Sequence, residues 1–402
     1  MKKFTACLLA ATVASTLSVS THAEDSSSIA EALKAGKTKL HFRLRYEDVT
    51  QDSATPGADD LEADALTLKT RLTYTSGTYN GLGLTLEMDD TTAITDEDYT
   101  NGVTPVPGSA VIADPEVTEI NQAYLSYTYG ATTGKWGRQR INLDNQRFVG
   151  GVGWRQDEQT YSGLSLASKP VEGLSLFYGY ITEVNRIFAE AGDHNHDTHL
   201  LNASYQTPFG KIVGYGYLID NDTALNLSSD TFGVRWEGKA GDIFKYNLEF
   251  ASQSEAGDNP NDYSADYSLA EVMTGIPIGK KKLNLKLGYE LLGSDDGNAA
   301  FTTSLATLHK FQGWTDKFLG TPATGIEDIY FSVGSKFGPV NATVVYHDYK
   351  ADEGDLDYGD EIGFVLKTKF KGIGYLLKYS SYGADDFATD TDKLWLQAAA
   401  TF

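Results

Sequence analysis

The stretch Leu283-Asn284-Leu285-Lys286-Leu287-Gly288-Tyr289-Glu290-Leu291 places an apolar or aromatic residue at every odd position, with a polar residue or glycine between. Successive side chains of a strand point to opposite faces, so a period of two describes a strand between an apolar and a polar medium. The same alternation runs through Leu40, Phe42, Leu44, Tyr46, through Leu66, Leu68, Leu72, Tyr74, and through Leu394, Leu396, Ala398, Ala400, Phe402. A soluble sandwich alternates in the same way, so the period alone does not name the medium.

Connection lengths discriminate. Eighteen strands can be traced between positions 39 and 402, and every second connection is short: Ser76 to Gly81, Gly130 to Thr132, Ser168 to Gly173, Pro208 to Gly210, Gly238 to Ile243, Gly275 to Lys281, Gly338, and Lys371 to Ile373. The others run from about nine residues to about thirty, the longest between Gly293 and Gly325. Long-short alternation around an even number of strands predicts an all-β fold, a transmembrane antiparallel barrel of about 18 strands with short periplasmic turns and long external loops. Hydrocarbon offers no partner to a strand's N–H and C=O groups, so the sheet must close on itself. Sixteen strands is the alternative, because Lys135 to Arg140 is ambiguous in parity and could bend into the lumen. Tyr127, Tyr129, Tyr178, Tyr180 and Tyr379 near strand ends fit aromatic girdles, although strand propensity also enriches tyrosine.

Residues 1–23 read as a signal peptide: Lys2 and Lys3, an apolar stretch from Phe4 to Val19, then Thr21-His22-Ala23 as a cleavage site. Its removal takes away Cys7, the only cysteine, and with it disulfides, thiol catalysis and cysteine metal sites. Residues 24–38 form a periplasmic N-terminal segment in which Ser28-Ile29-Ala30-Glu31 is a capping box opening a short helix, and 39–402 form the barrel. The expected location is the outer membrane of a Gram-negative bacterium. Outer-membrane lipid and lipopolysaccharide are the expected surroundings, and the final strand ending on Phe402 is the expected signal to barrel-assembly machinery. A monomer is expected.

The net charge of −22 becomes −24 without Lys2 and Lys3, which argues against nucleic acid as a partner. Segments 47–64, 89–119, 253–266 and 383–392 hold 7, 8, 4 and 4 acids and no Lys or Arg, so the acidity belongs to loops. Such loops are solvated faces, or bridge to lipopolysaccharide phosphates through divalent cations. Asp193-His194-Asn195-His196-Asp197-Thr198-His199 reads as a solvated external loop, because its spacing aims no three ligands at one point, and no cofactor or metal is expected. His41, His309 and His347 are the histidines available for catalysis, but no Gly-x-Ser-x-Gly accompanies them and an enzyme is not expected.

If the apolar positions face lipid, the alternate ones face the lumen. That parity gives Arg43, Arg45, Lys69, Arg71, Arg235, Lys286, Lys367, Lys369, Lys378 and Lys393 against the acids Glu87, Glu237, Glu249, Glu290 and Glu361. A net positive interior would concentrate anions; alternatively, the charges pair across the lumen and stiffen the barrel. Arg138, Arg140, Arg147 and Arg155 fall within eighteen residues around the loop after the fifth strand, where lipid exposure would cost ~2–4 kcal/mol each. They are candidate selectivity residues, or pins that hold the loop through Asp144, Asp157 and Glu158. The expected function is passage of small or oligomeric hydrophilic solutes with an anion preference. A non-conducting structural or adhesive barrel is the rival.

Leu33-Lys34-Ala35-Gly36-Lys37 leading into Leu44-Arg45-Tyr46-Glu47 resembles the alginate-export family of outer-membrane porins. So do Gly137-Arg138-Gln139 with Asn145-Gln146-Arg147-Phe148-Val149-Gly150 and Trp154, Gly288-Tyr289-Glu290, His309 to Phe318, Tyr346-His347-Asp348-Tyr349 and Tyr358-Gly359-Asp360-Glu361. The resemblance implies an eighteen-stranded monomeric barrel that passes a polyanionic polysaccharide. The sequence departs from the family at Gln159-Thr160-Tyr161-Ser162-Gly163, where an Arg and then an Asp beside the aromatic are expected, so the cargo stays open.

Overall fold

Leu40 and Phe402 exchange both backbone hydrogen bonds, at 3.1 and 2.8 Å, and this rung joins the two ends of one sheet. The computed structural model describes residues 25–402, so the segment read as a signal peptide lies outside the described residues. The first barrel strand, Lys37–Gln51, pairs antiparallel with the second, Leu61–Thr75, and with the last, Thr391–Thr401. Eighteen strands pair each with its sequence neighbour, which leaves no open edge. All eight expected short connections fall between strands, and nine longer loops emerge at the opposite rim. No described helix is long and apolar enough to cross a membrane. The helix Ile29–Lys34 is capped by the Ser28 hydroxyl, which accepts from the Glu31 N–H, and it docks on the first short turn through Gly77 N–H to Ala32 C=O at 2.8 Å.

Alternation sorts the wall as read. On the first strand Leu44 is 41% exposed, while its neighbour Arg45 is 1% exposed. Leu72, Leu125, Phe250, Leu287 and Leu396 continue the outward apolar face, and Tyr129, Phe209, Phe370 and Phe402 stand exposed toward the short-turn rim. Two readings change. Strands reach further toward the long-loop rim than the alternating runs suggested, so Glu47 lies inside the first strand instead of in an acidic loop. Asp193 to His199 is not a solvated loop: from His194 the chain belongs to the eighth strand, His194–Thr207, with His196 buried and His194 and His196 stacked at 6.4 Å. No group of three or more metal-ligating side chains occurs among the described residues.

The fifth strand, Thr132–Gln139, keeps its place in the wall between Val117–Tyr129 and Thr160–Ser168, which decides for eighteen strands over sixteen. Its ambiguous parity has a local cause. Gly137 and Gly163 face each other across one rung with φ of 126° and 154°, and a Cβ on either would collide with the backbone carbonyl of Ala123 or Tyr180. The register slips beside Gly163, and immediately beyond this rung the chain leaves the wall for the interior.

Candidate functional site

Two long loops fold into the barrel and meet. In the loop 140–159, Gly150 N–H donates to Leu305 C=O at 2.9 Å, and Thr307 N–H donates back to Gln146 C=O at 3.0 Å. The second loop, 293–325, supplies Leu305 and Thr307. Phe148 enters a cluster of Tyr215, Tyr267 and Phe301 with ring centroids 5.2, 5.2 and 5.9 Å away, so the apolar core of the molecule lies inside the barrel where the loop tips reach the far wall. The path through the lumen is therefore shaped by this septum as well as by the wall.

The guanidiniums expected to select anions hold the septum. Arg147 donates to Glu290 at 2.7 Å, to Gln312 at 2.9 Å and to Thr303 at 3.1 Å, all buried. Arg155 donates to Glu47 at 3.0 Å and to Asp316 at 3.0 Å, tying both loops to the first strand. Arg140 bridges Glu87 at 2.8 Å and Glu158; Arg138 bonds Glu119 at 2.6 Å. On the wall, Arg71 contacts Asp89 and Glu158, and Lys69 lies 2.8 Å from Asp89. Arg235 bonds Glu249 at 2.6 Å and Glu237 at 2.9 Å, and Lys286 pairs with Glu271. Arg45 lies 3.7 Å from Asp114, with its guanidinium 4.2 Å from the Trp154 ring. The pins run across the lumen to Glu290, Glu47 and Asp316 as well as locally to Glu158. Asp144 instead accepts from Asn202 at 2.6 Å.

The expected net positive interior is thus largely neutralised. The missed acids are Glu47, Asp89, Glu119 and Glu271 on strands and Asp114 and Asp316 on loops, whereas Glu158 was named in advance as a pin. The strand acids were legible by parity, since Glu47 follows Arg45 by two and Asp89 follows Glu87 by two. Segments 47–64 and 89–119, counted as acidic loops, had absorbed Glu47, Asp89 and Glu119, whereas Glu271 lies outside them. Among the described residues four of the candidate bases stay free of carboxylates: Arg43, Lys367, Lys369 and Lys378. Arg43 donates to Gln156 Oε1 at 2.8 Å and to the carbonyls of Gly153 and Arg155, and exposed Lys367 stands on the wall toward the short-turn rim.

One further cluster was not foreseen as a unit. Lys378 Nζ lies 4.1 Å from the ring centroids of both Trp154 and Trp314 and 5.1 Å from Trp395, and it donates to His309 Nε2 at 2.7 Å. Each infolded loop thus contributes a tryptophan to one wall ammonium. His309 stacks on Trp154 at 4.5 Å and donates from Nδ1 to Asp316 at 2.6 Å, and Asp316 also accepts from Lys393 at 3.0 Å. Burial holds His309 neutral, its pKa lowered to about 3 despite Asp316. Burial would raise the Asp316 carboxyl, but His309 and Lys393 outweigh it and hold the group well below the usual range. Glu158 behaves alike: burial opposes ionisation, and Arg140, Lys69 and Arg71 prevail. His41 bonds the Thr401 hydroxyl at 2.9 Å, and His347 bonds the Asp328 carboxylate at 3.0 Å.

The barrel has solved counterparts. It is similar to Pseudomonas aeruginosa OpdK, solved with vanillate, at 14% identity and a TM-score of 0.69, over 92% of this chain and 99% of that one. Similar too are P. aeruginosa OccD3 (15%, TM-score 0.67, 92% of each chain) and Acinetobacter baumannii OccAB4 (15%, TM-score 0.67, 91% and 98%). No curated protein matches the sequence. The likeness establishes an outer-membrane porin fold, and the sequence pattern described as Alginate export matches residues 37–291, well over half of the chain. The chain belongs to the alginate export family.

Proposed function

We propose that the chain is an outer-membrane diffusion channel for hydrophilic solutes with a modest preference for anions, small or oligomeric, and without catalytic activity. The observation that carries the reading is the septum: polar, charge-paired loops inside a barrel whose apolar face points outward, with Arg43 held at the septum's edge by neutral acceptors only. A guanidinium so held keeps its charge and offers weak two-point contact to a carboxylate, which suits a site that must also release. Uronate-like oligosaccharides and aromatic carboxylates such as the vanillate named with OpdK are the cargo classes to compare. The density of pins across the lumen favours a second reading, a barrel sealed by its loops. Planar-bilayer recording of the purified, folded protein separates the two. Step openings that competing uronates reduce more than neutral sugars support the channel, whereas no openings at all leave the sealed barrel.

A further inference from the structure

Once the wall is traced, the charge of this chain is sorted along the barrel axis. The seven long loops other than 140–159 and 293–325 carry twenty Asp or Glu and a single base, Arg186; one of the acids, Asp114, is drawn in to Arg45 and Arg155 at the septum, which leaves nineteen for the outer mouth. At the opposite rim, the four strand residues next to each short turn, together over all strands, carry eleven lysines and one acid, Glu237. By alternation ten of the eleven face the lumen, and Lys281 alone lies on the lipid side, over Phe337 at 4.1 Å. Lys39, Lys239, Lys245, Lys282, Lys336 and Lys369 are exposed. Among the described residues only Lys211 of this collar pairs with carboxylates, Glu237 at 3.4 Å and Asp144 at 3.8 Å. Lys239 and Lys245 stand directly opposite each other on one rung, an arrangement of like charges that costs stability and that a purely structural rim would avoid.

A conduit with fixed positive charge at one mouth and fixed negative charge at the other does not conduct equally in both directions. When the external side is positive, cations are drawn in through the acidic mouth that enriches them, and anions through the lysine mouth that enriches them; carriers accumulate and conductance rises. With the voltage reversed, each mouth excludes the ion that must cross it, and the conduit is depleted. We propose that the pore is an electrostatic diode that favours anion flow outward and cation flow inward. The inference rests on the channel reading above and adds a direction that charge pairing within the septum cannot supply, since those pairs cancel locally.

The test uses single channels of the full mature chain in a planar bilayer, with orientation fixed by one-sided labelling of Thr55→Cys in an external loop. At 0.1 M KCl, where the Debye length is ~10 Å, the current with the external side positive should exceed the reverse current by about twofold, and at 1 M, where it is ~3 Å, the two should converge. Replacing Lys39, Lys245, Lys282, Lys336 and Lys369 by Gln should markedly weaken the asymmetry at 0.1 M while heat resistance of the barrel is kept. Asp385→Asn with Asp386→Asn and Asp390→Asn should weaken it from the other mouth and serves if the lysine variant fails to fold. Channels that open and conduct symmetrically at 0.1 M, or rectify the opposite way, overturn the diode and leave the channel standing. An absence of openings overturns the channel reading and the diode with it.

Discussion

At the scale of single residues, the decisive contacts are those in which a loop residue meets a wall residue of opposite character. Arg147 and Glu290 are both buried, so removing one partner leaves an uncompensated charge at a cost of about 3–5 kcal/mol, far more than an exposed pair would lose. Arg147→Met should therefore release the tip of loop 140–159 and make it protease-sensitive in detergent, while the barrel keeps its heat resistance; unchanged protection would show that the Phe148 cluster alone holds the tip. His309 gives a pH dependence with a definite sign. Buried, it stays neutral down to about 3; in a loop released to water it would titrate near 6.5. The depressed value means that the docked arrangement is fully favoured above about pH 6.5 and loses ground as pH falls toward 3. Protonation would also place a second cation against Lys378, which now donates to the same ring. Asp316 and Glu158 act in the same direction lower down, below the usual carboxylate range. Current fluctuations should increase between pH 7 and 4, and His309→Gln, which is unable to take the proton, should flatten the upper part of that rise.

At the scale of elements, two glycines release a loop. Gly137 and Gly163 let strands five and six bend where side chains would strike neighbouring carbonyls, and the chain between them turns inward. Gly163→Val should strain the rung by ~1–3 kcal/mol and shift loop 140–159 off its docking partners, read as altered single-channel conductance in a protein whose strand content by circular dichroism is unchanged. The wall was legible because lipid on one side and water on the other impose a period of two on every strand, and all eight short turns followed from it. The septum was less so. Nothing local in Arg147 or Arg155 names Glu290 or Glu47, residues 143 and 108 positions away, since such pairing is a property of closure. Lys378 stood out as lumenal by parity, whereas its tryptophans lie on three separate segments. The acids Glu47 and Asp89 were within reach of the alternation and were lost only because a run of acids at a strand end resembles a loop.

At the scale of the whole molecule, topology and selectivity follow from where charge is paired and where it is not. Protease shaving of intact cells should cut within 94–116 and 256–263 and spare turns such as 279–280 and 371–372; cleavage confined to the turns would invert the barrel. Inside, most bases and acids cancel in pairs, so the selectivity of the septum depends on the few cations left over. Arg43 is the clearest, with three acceptors and none of them charged. An anion passing within about 5 Å of it in water gains roughly 0.8 kcal/mol, which corresponds to a two- to fourfold preference once partial screening is allowed for. Arg43→Gln should therefore lower the anion-to-cation permeability ratio by about that factor in 0.1 M salt; it also gives up the bonds to Gly153, Arg155 and Gln156, but leaves no carboxylate of the loop without its partner. Arg71→Gln makes the instructive contrast. It removes the same charge but strips Asp89 and Glu158 of a partner, so its effect on the ratio should come together with unstable conductance. If Arg43→Gln leaves the ratio unchanged at low salt while Arg71→Gln lowers it with steady openings, the selecting charge lies in the network and not in the unpaired guanidinium.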